Sequence, residues 1–223
     1  DYIEIDPSNN DIMYVSNGTG LYKSTDRGIN FNLVSTAPSA ITSIEVNYSN
    51  SNIVYLTTAG TSGTVRKSIN GGTTFTDITS GIPNIGKNII VHQGRNSLNP
   101  LYVGTSLGVY YIDDSMASFQ PFDTNLPNVS VTDLEINLED SKLIAGTYGR
   151  GVWQTNIPVE VPANDIKLVQ IQNPTIGVSC GSSIIPQIEV SNNGSNNITS
   201  VTVNYTIDGI PNTFNWSGNI APA

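Results

Sequence analysis

The sequence predicts an all-β protein on three observations. Its composition suits strands and turns, it has no capped run with helical apolar spacing, and it repeats one alternating strand pattern four times. Only 12% of the 223 residues are charged, while Asn, Ser, Thr and Gly abound. Asn, Ser and Gly hydrogen-bond locally or visit left-handed backbone, which favours turns over helix interiors.

The repeats define the architecture. IEIDPSNNDIMYVS begins at Ile3 and IEVNYSNSNIVYLT at Ile44, so Ile3, Ile5, Ile12 and Tyr14 fall on Ile44, Val46, Ile53 and Tyr55. A third copy, NIIVHQGRNSLNPLYVGT, places Val91 and Tyr102 in these roles, and a fourth, DLEINLEDSKLIAGT, places Ile136 and Ile144 there. Each copy reads as an alternating strand, a polar turn and a second strand. A third strand follows in GLYKS, TVRKS, GVYYI and GVWQT. Copies one and two add a turn and a fourth strand, NFNLVS and TFTDIT. Units of about 41 to 47 residues with four strands have the period of β-propeller blades. The prediction is a partial propeller of about four visible blades over 1–157, belonging to a larger ring.

Pro158 and Pro162 mark a linker over 158–163. From 164 to 223 the pattern changes to DIKLVQIQNP, SIIPQIEVSNNG, ITSVTVNYTIDG and TFNWSG, strands punctuated by Asn, Gly and Pro turns. This predicts an incomplete immunoglobulin-like β-sandwich module, truncated at its C-terminal end. The chain opens inside a strand-like pattern and is expected to be a fragment or processed product, with other domains of the same polypeptide upstream and downstream.

Charge and hydropathy narrow the partners. A net charge of −9 and a pI near 4.3 oppose binding to nucleic acid or to an anionic membrane surface. No apolar run reaches the roughly 18 residues of a membrane-spanning helix, so no membrane insertion is expected. Cys180 is the one cysteine, which rules out an internal disulfide within these residues.

The most distinctive local motif is KSTDRGINF, residues 23 to 31, echoed by KSINGGTTF, residues 67 to 75. Ser24, Asp26, Gly28 and Phe31 resemble the Asp-box, or BNR, repeat of sialidases, sortilin-like propellers and xyloglucan-cleaving propeller hydrolases. The second copy keeps Ser68, Gly72 and Phe75 with Asn70 for the aspartate. The third keeps Asp114 and Phe119, with Met116 for the glycine. GTYGRGVW, residues 146 to 153, is similar to the last blade of sortilin-like and xyloglucanase-like propellers. The tail from Val178 to Gly209 resembles the CARDB-like or Ig-like modules of large secreted Bacteroidetes proteins. These resemblances imply an exported or cell-surface protein, of the kind that type IX secretion handles.

Each candidate for chemistry has a competing structural reading. A carboxylate or carboxamide oxygen in a tight hairpin accepts turn N–H groups. Asn70 can do this but cannot serve as an acid, so the repeated turn is read as structural. Sialidase chemistry, as the resemblance implies, needs an arginine triad, and Arg27, Arg66, Arg95 and Arg150 match no such motif. A glycosidase needs two carboxylates across the scissile bond. Asp133 and Glu135, on one face of an expected inner strand, are the candidates together with Asp113 and Asp114. His92 stands alone and reads as a surface or turn-contacting histidine. Cys180 reads as a small buried residue. The acidic turns at 6–11 and 137–141 match no calcium loop. Tyr14, Tyr22 and Tyr55 recur between copies and are expected in the core, whereas Tyr148, Arg150 and Trp153 are candidates for ligand contact with Asp133 and Glu135.

The functional expectation is a noncatalytic, secreted or surface-exposed module for display or for recognition of a glycan or surface protein. No catalytic residue, cofactor or metal is assigned. Two alternatives remain: the C-terminal part of a glycoside hydrolase propeller, and the accessory region of a secreted peptidase.

Overall fold

A computed structural model describes residues 1–122, 125–174, 185–207 and 209–222. Two compact units divide the chain, Asp1–Val159 and Glu160–Ala223. All regular structure among the described residues is strand.

The first unit holds four antiparallel sheets in chain order. The first contains β1 (Ile3–Ile5), β2 (Met13–Asn17), β3 (Gly20–Ser24) and β4 (Asn32–Thr36). The second contains β5 (Ile41–Val46), β6 (Val54–Thr58), β7 (Val65–Ser68) and β8 (Thr76–Asp77). The third contains β9 (Lys87–His92), β10 (Leu101–Thr105), β11 (Gly108–Ile112) and β12 (Gln120–Pro121). The fourth has three strands, β13 (Val131–Asn137), β14 (Lys142–Thr147) and β15 (Gly151–Asn156). Every sheet is a simple meander, so each strand pairs with its sequence neighbour.

Registers make the copies superimposable. Glu4 lies opposite Tyr14, Glu45 opposite Tyr55, Val91 opposite Tyr102 and Glu135 opposite Ile144. Gly20, Gly108 and Gly151 open the third strands of sheets one, three and four.

The core sits between the sheets rather than within any of them. Its first layer joins Tyr14 and Leu21 of the first sheet to Ile44, Val46, Val54 and Leu56 of the second. The second joins Tyr55 and Val65 to Ile90, Leu101, Val103 and Phe119 of the third. The third joins Tyr102 and Val109 to Val131, Leu134, Leu143 and Ala145 of the fourth. In each of the first three sheets, a tyrosine on the second strand and an aliphatic side chain on the third therefore project onto the following sheet. This explains why VYLTT and LYVGT lack alternation: β6 and β10 are buried on both faces.

The second unit has two hairpins, β16 (Ile166–Asn173) with β17 (Gln187–Asn192) and β18 (Ile198–Ile207) with β19 (Ile210–Ile220). Asn192 is buried where β17 ends, its amide donating to the Asn196 and Ile220 carbonyls at 2.7 and 3.0 Å. Cys180 lies outside the described residues.

Candidate functional site

Three constellations cover the residues singled out by sequence: the repeated turns, the innermost strands, and the β14–β15 hairpin.

In the first repeated turn, the Ser24 hydroxyl donates to Asp26 Oδ1 at 2.7 Å and accepts the Gly28 N–H at 2.9 Å. Asp26 Oδ1 also accepts the Asn30 N–H at 2.9 Å, and Oδ2 accepts the Asn30 amide at 2.7 Å. These donors, the Asn30 backbone N–H foremost, hold the Asp26 carboxyl down at about 2. The second turn repeats the pattern with a neutral side chain. Ser68 donates to Asn70 Oδ1 at 2.9 Å and accepts the Gly72 N–H at 3.0 Å, while Asn70 Oδ1 accepts the Thr74 N–H at 2.9 Å. Gly28 and Gly72 have φ of 81° and 84°, a region that glycine enters without a Cβ penalty.

The second turn also lies on the sheet before it. Tyr14 Oη donates to the Gly71 carbonyl at 3.2 Å. A Cβ on Gly72 would sit 3.1 Å from Leu21 Cδ2 and 3.3 Å from Tyr14 Cε1. Phe75 packs against the same layer, and Phe119 is fully buried in the next. In the third copy Asp113, rather than Asp114, closes the turn, accepting from the Ser115 N–H and hydroxyl at 2.9 and 2.6 Å. Asp114 instead accepts the Asn99 amide at 2.6 Å.

The innermost strands β1, β5, β9 and β13 bound a cavity of about 390 Å³. Tyr2, Glu4, Glu45, Tyr48, His92 and Glu135 contribute its polar lining. Of the three glutamates at this cavity, Glu135 is a candidate from sequence, whereas Glu4 and Glu45 emerge from the structure. The signal was present, because Ile-Glu-Ile, Ile-Glu-Val and Leu-Glu-Ile occupy the same place in three copies. Burial, then the charge of Glu135, pushes Glu4 up to about 7. Burial and the charge of Glu4 push Glu45 well above the ordinary carboxylate range.

Glu45 also fastens one sheet to the next. Its Oε1 accepts the His92 N–H at 2.9 Å. Ser43 Oγ accepts the Ile90 N–H at 3.3 Å, and Thr42 donates to the Lys87 carbonyl at 2.8 Å. These side chains of β5 thus cap the free backbone edge of β9, an edge that would otherwise invite foreign strands. At the next junction, the Asn88 amide donates to the Val131 carbonyl at 2.8 Å, and Val91 makes an apolar contact where the other copies carry glutamate. His92 is buried and stacked on Tyr55 with ring centroids 5.9 Å apart. Its Nδ1 accepts the Tyr48 N–H at 3.2 Å, and burial pushes it down to about 4.

A pH dependence follows. The folded pKa of Glu4, about 7, lies above its ordinary 4.5, so folding takes up a proton. The associated stability is complete below 4.5 and is lost as pH rises through 7. The Glu4→Gln variant is expected to be more stable than wild type at pH 8, by about 2 kcal/mol once water in the cavity is allowed for. Urea titrations between pH 5 and 8 measure this. A difference between variant and wild type that stays constant with pH contradicts it.

The third constellation is the β14–β15 turn. Tyr148 is 81% exposed and Trp153 38% exposed. The indole Nε1–H donates to the Arg150 carbonyl at 3.0 Å, and Gly149 and Gly151 adopt φ of 77° and 74°. Asp133, on β13, is exposed and pairs in register with Gly146. The structure therefore brings Glu135 to the cavity with Glu4 and Glu45, and gathers Tyr148, Arg150 and Trp153 at a separate turn.

By sequence the chain matches no family model and no curated protein. Solved structures do share its fold. The GH74 enzyme of Niastella koreensis matches 69% of this chain and 28% of its own, at 21% identity and a TM-score of 0.57. YCF48 bound to D1 peptide matches 71% and 51%, at 12% identity and 0.52. The extracellular domain of the hybrid two-component system BT3049 from B. thetaiotaomicron matches 70% and 23%, at 16% identity and 0.53. The chain thus spans between about a quarter and a half of these structures' lengths. With four meanders in chain order that pack one on the next, these likenesses define the first unit as a β-propeller in part or whole.

Proposed function

We propose that the chain is a noncatalytic recognition module of a secreted or surface-exposed bacterial protein, its propeller binding a glycan or protein and its second unit serving as an Ig-like, CARDB-like display element. The observation that carries this reading is the Tyr148–Trp153 turn: two exposed aromatic side chains and an arginine on a hairpin whose indole is already fixed by its own backbone. Preorganised aromatic faces suit sugar stacking and peptide contact alike. Asp133 supplies an acceptor on the adjoining inner strand. The neighbours fit such a role, since YCF48 holds a peptide and BT3049 contributes an extracellular domain. The presence of Asn70 in the second copy where the first has Asp26 fits a turn that needs an acceptor and not an acid.

Paired glycan and peptide arrays test this. Binding that weakens about tenfold in Tyr148→Ala or Trp153→Ala, the loss of one aromatic contact, is the expected result. Binding that is absent, or unchanged in both variants, refutes the assignment.

A second reading, a glycoside hydrolase, draws on one observation: Glu4 is held near 7 beside further carboxylates, as a general acid would be. The engagement of Glu45 by the His92 N–H weighs against it. Reducing-sugar release that disappears in Glu4→Gln would establish the hydrolase in its place.

A further inference from the structure

We propose that the groove between β4 of the first sheet and β7 of the second binds one six-membered ring bearing a carboxylate, a hexuronic acid at the end of a glycan. The repeats provide an internal control. By register, Tyr22, Arg66, Tyr110 and Trp153 occupy one position, opposite Val15, Leu56, Val103 and Ala145 of their second strands. Three copies thus carry an aromatic ring where the second carries an arginine. At the junction of the second and third sheets, Tyr110 packs into the apolar layer, and Phe119 is buried there. At the junction of the first and second sheets, Arg66 stands in place of that ring. Phe75, the counterpart of Phe119, is only half-buried, and a cavity of about 260 Å³ opens beside it.

The lining specifies the occupant. Arg66 Nη2 donates to the Phe75 carbonyl at 3.1 Å, which steadies the guanidinium and leaves its other N–H groups to a ligand. The one ion pair among the described residues joins Arg27 to Asp11, so Arg66 has no carboxylate partner there. Asp77, its cross-strand neighbour, accepts instead from the Thr79 N–H and hydroxyl at 2.8 and 2.6 Å. A planar guanidinium takes a carboxylate through two parallel hydrogen bonds. Ala37, Leu56 and the Phe75 ring form an apolar wall for the C–H face of a sugar. Ser35 and Thr36 add hydroxyls that no side chain or backbone group engages among the described residues. The Thr73 hydroxyl donates to the Asn70 carbonyl and can still accept.

A carboxylate, several hydroxyls and an apolar ring face are the three parts of a hexuronic acid. An aromatic acid would leave the hydroxyls unused, and a neutral hexose would leave the arginine unused. The volume lies below the roughly 300–1,000 Å³ of sites for drug-sized ligands, which limits the occupant to one ring. Thr36 and Thr73 are exposed at the rim, so the end of a longer glycan has access. The site is built on other sheets than the Tyr148–Trp153 turn and stands without it.

NMR titrations with galacturonate, galactose and benzoate test the proposal. Galacturonate is expected to shift the Leu56 and Phe75 side-chain signals. It should bind at least about tenfold more tightly than galactose or benzoate, as the loss of a charge-assisted or several neutral hydrogen bonds implies. Arg66→Tyr installs the side chain that the third sheet carries at this place, fills the cavity and should abolish the shifts. Arg66→Gln leaves the cavity open without the charge and should weaken galacturonate about tenfold, with backbone spectra confirming that both variants keep the fold. Galacturonate that shifts neither signal, or that binds unchanged in Arg66→Tyr, overturns the proposal. Galactose binding as tightly as galacturonate also overturns it, and equal binding of benzoate assigns the cavity to aromatic acids instead.

Discussion

Tyr14→Ala is expected to destabilise the first unit by about 4 kcal/mol, the range for emptying a fully buried aromatic site. The ring is wholly buried between the first two sheets, and its hydroxyl donates to Gly71 of the repeated turn. The substitution therefore opens a cavity and strands a carbonyl together. Tyr14→Phe separates the two effects: it keeps the ring and should cost only about 1 kcal/mol, the net worth of one hydrogen bond. Urea unfolding followed by tyrosine and tryptophan fluorescence reads both. A Tyr14→Ala protein within 1 kcal/mol of wild type would mean that the two sheets do not depend on this layer.

The second large effect is expected at Gly72. Alanine there meets φ of 84° and two side chains at 3.1 and 3.3 Å, so left-handed strain of about 1–2 kcal/mol adds to overpacking of about 1–3 kcal/mol. A total near 3 kcal/mol is expected. Gly60→Ala serves as the control, because Gly60 has φ of 91° but no atom near its would-be Cβ. Only strain remains at Gly60, and the difference between the two variants isolates the contact with Tyr14 and Leu21. Combining Gly72→Ala with Tyr14→Ala should cost less than the sum, since the emptied ring site receives the new methyl. Strict additivity would show that the turn and the tyrosine act independently.

Most of the propeller was legible because its signal is repetition. Strand three of the first and third copies begins and ends at the residues read from GLYKS and GVYYI. Fourth strands were less legible. TFTDIT forms only the two-residue β8, an outer strand held by one neighbour through Arg66 and Lys67. The closure of the third turn by Asp113 follows from the loss of its serine and glycine. With Ile112 where the other copies have Ser24 and Ser68, the hydroxyl that orients Asp26 and Asn70 is gone, and the adjacent carboxylate takes over. His92, lone in sequence and read there as a surface or turn-contacting histidine, is instead buried, because it stands at the inner-strand position where Val46 is buried between sheets. The glutamates were visible as a column in the aligned copies, but their partners lie on another sheet, roughly 47 residues onward, and no local pattern announces a side chain capping a distant strand edge.

Repeated polar residues fasten one blade to the next as acceptors rather than acting as acids. Amide hydrogen exchange at His92, measured by NMR in wild type, Glu45→Gln and Glu45→Ala, addresses this most directly. The His92 amide is expected to keep its protection in Glu45→Gln, whose carboxamide oxygen still accepts, and to lose it selectively in Glu45→Ala while the β10 amides stay protected. Protection at His92 that is unchanged in Glu45→Ala, or lost equally in both variants, would contradict it.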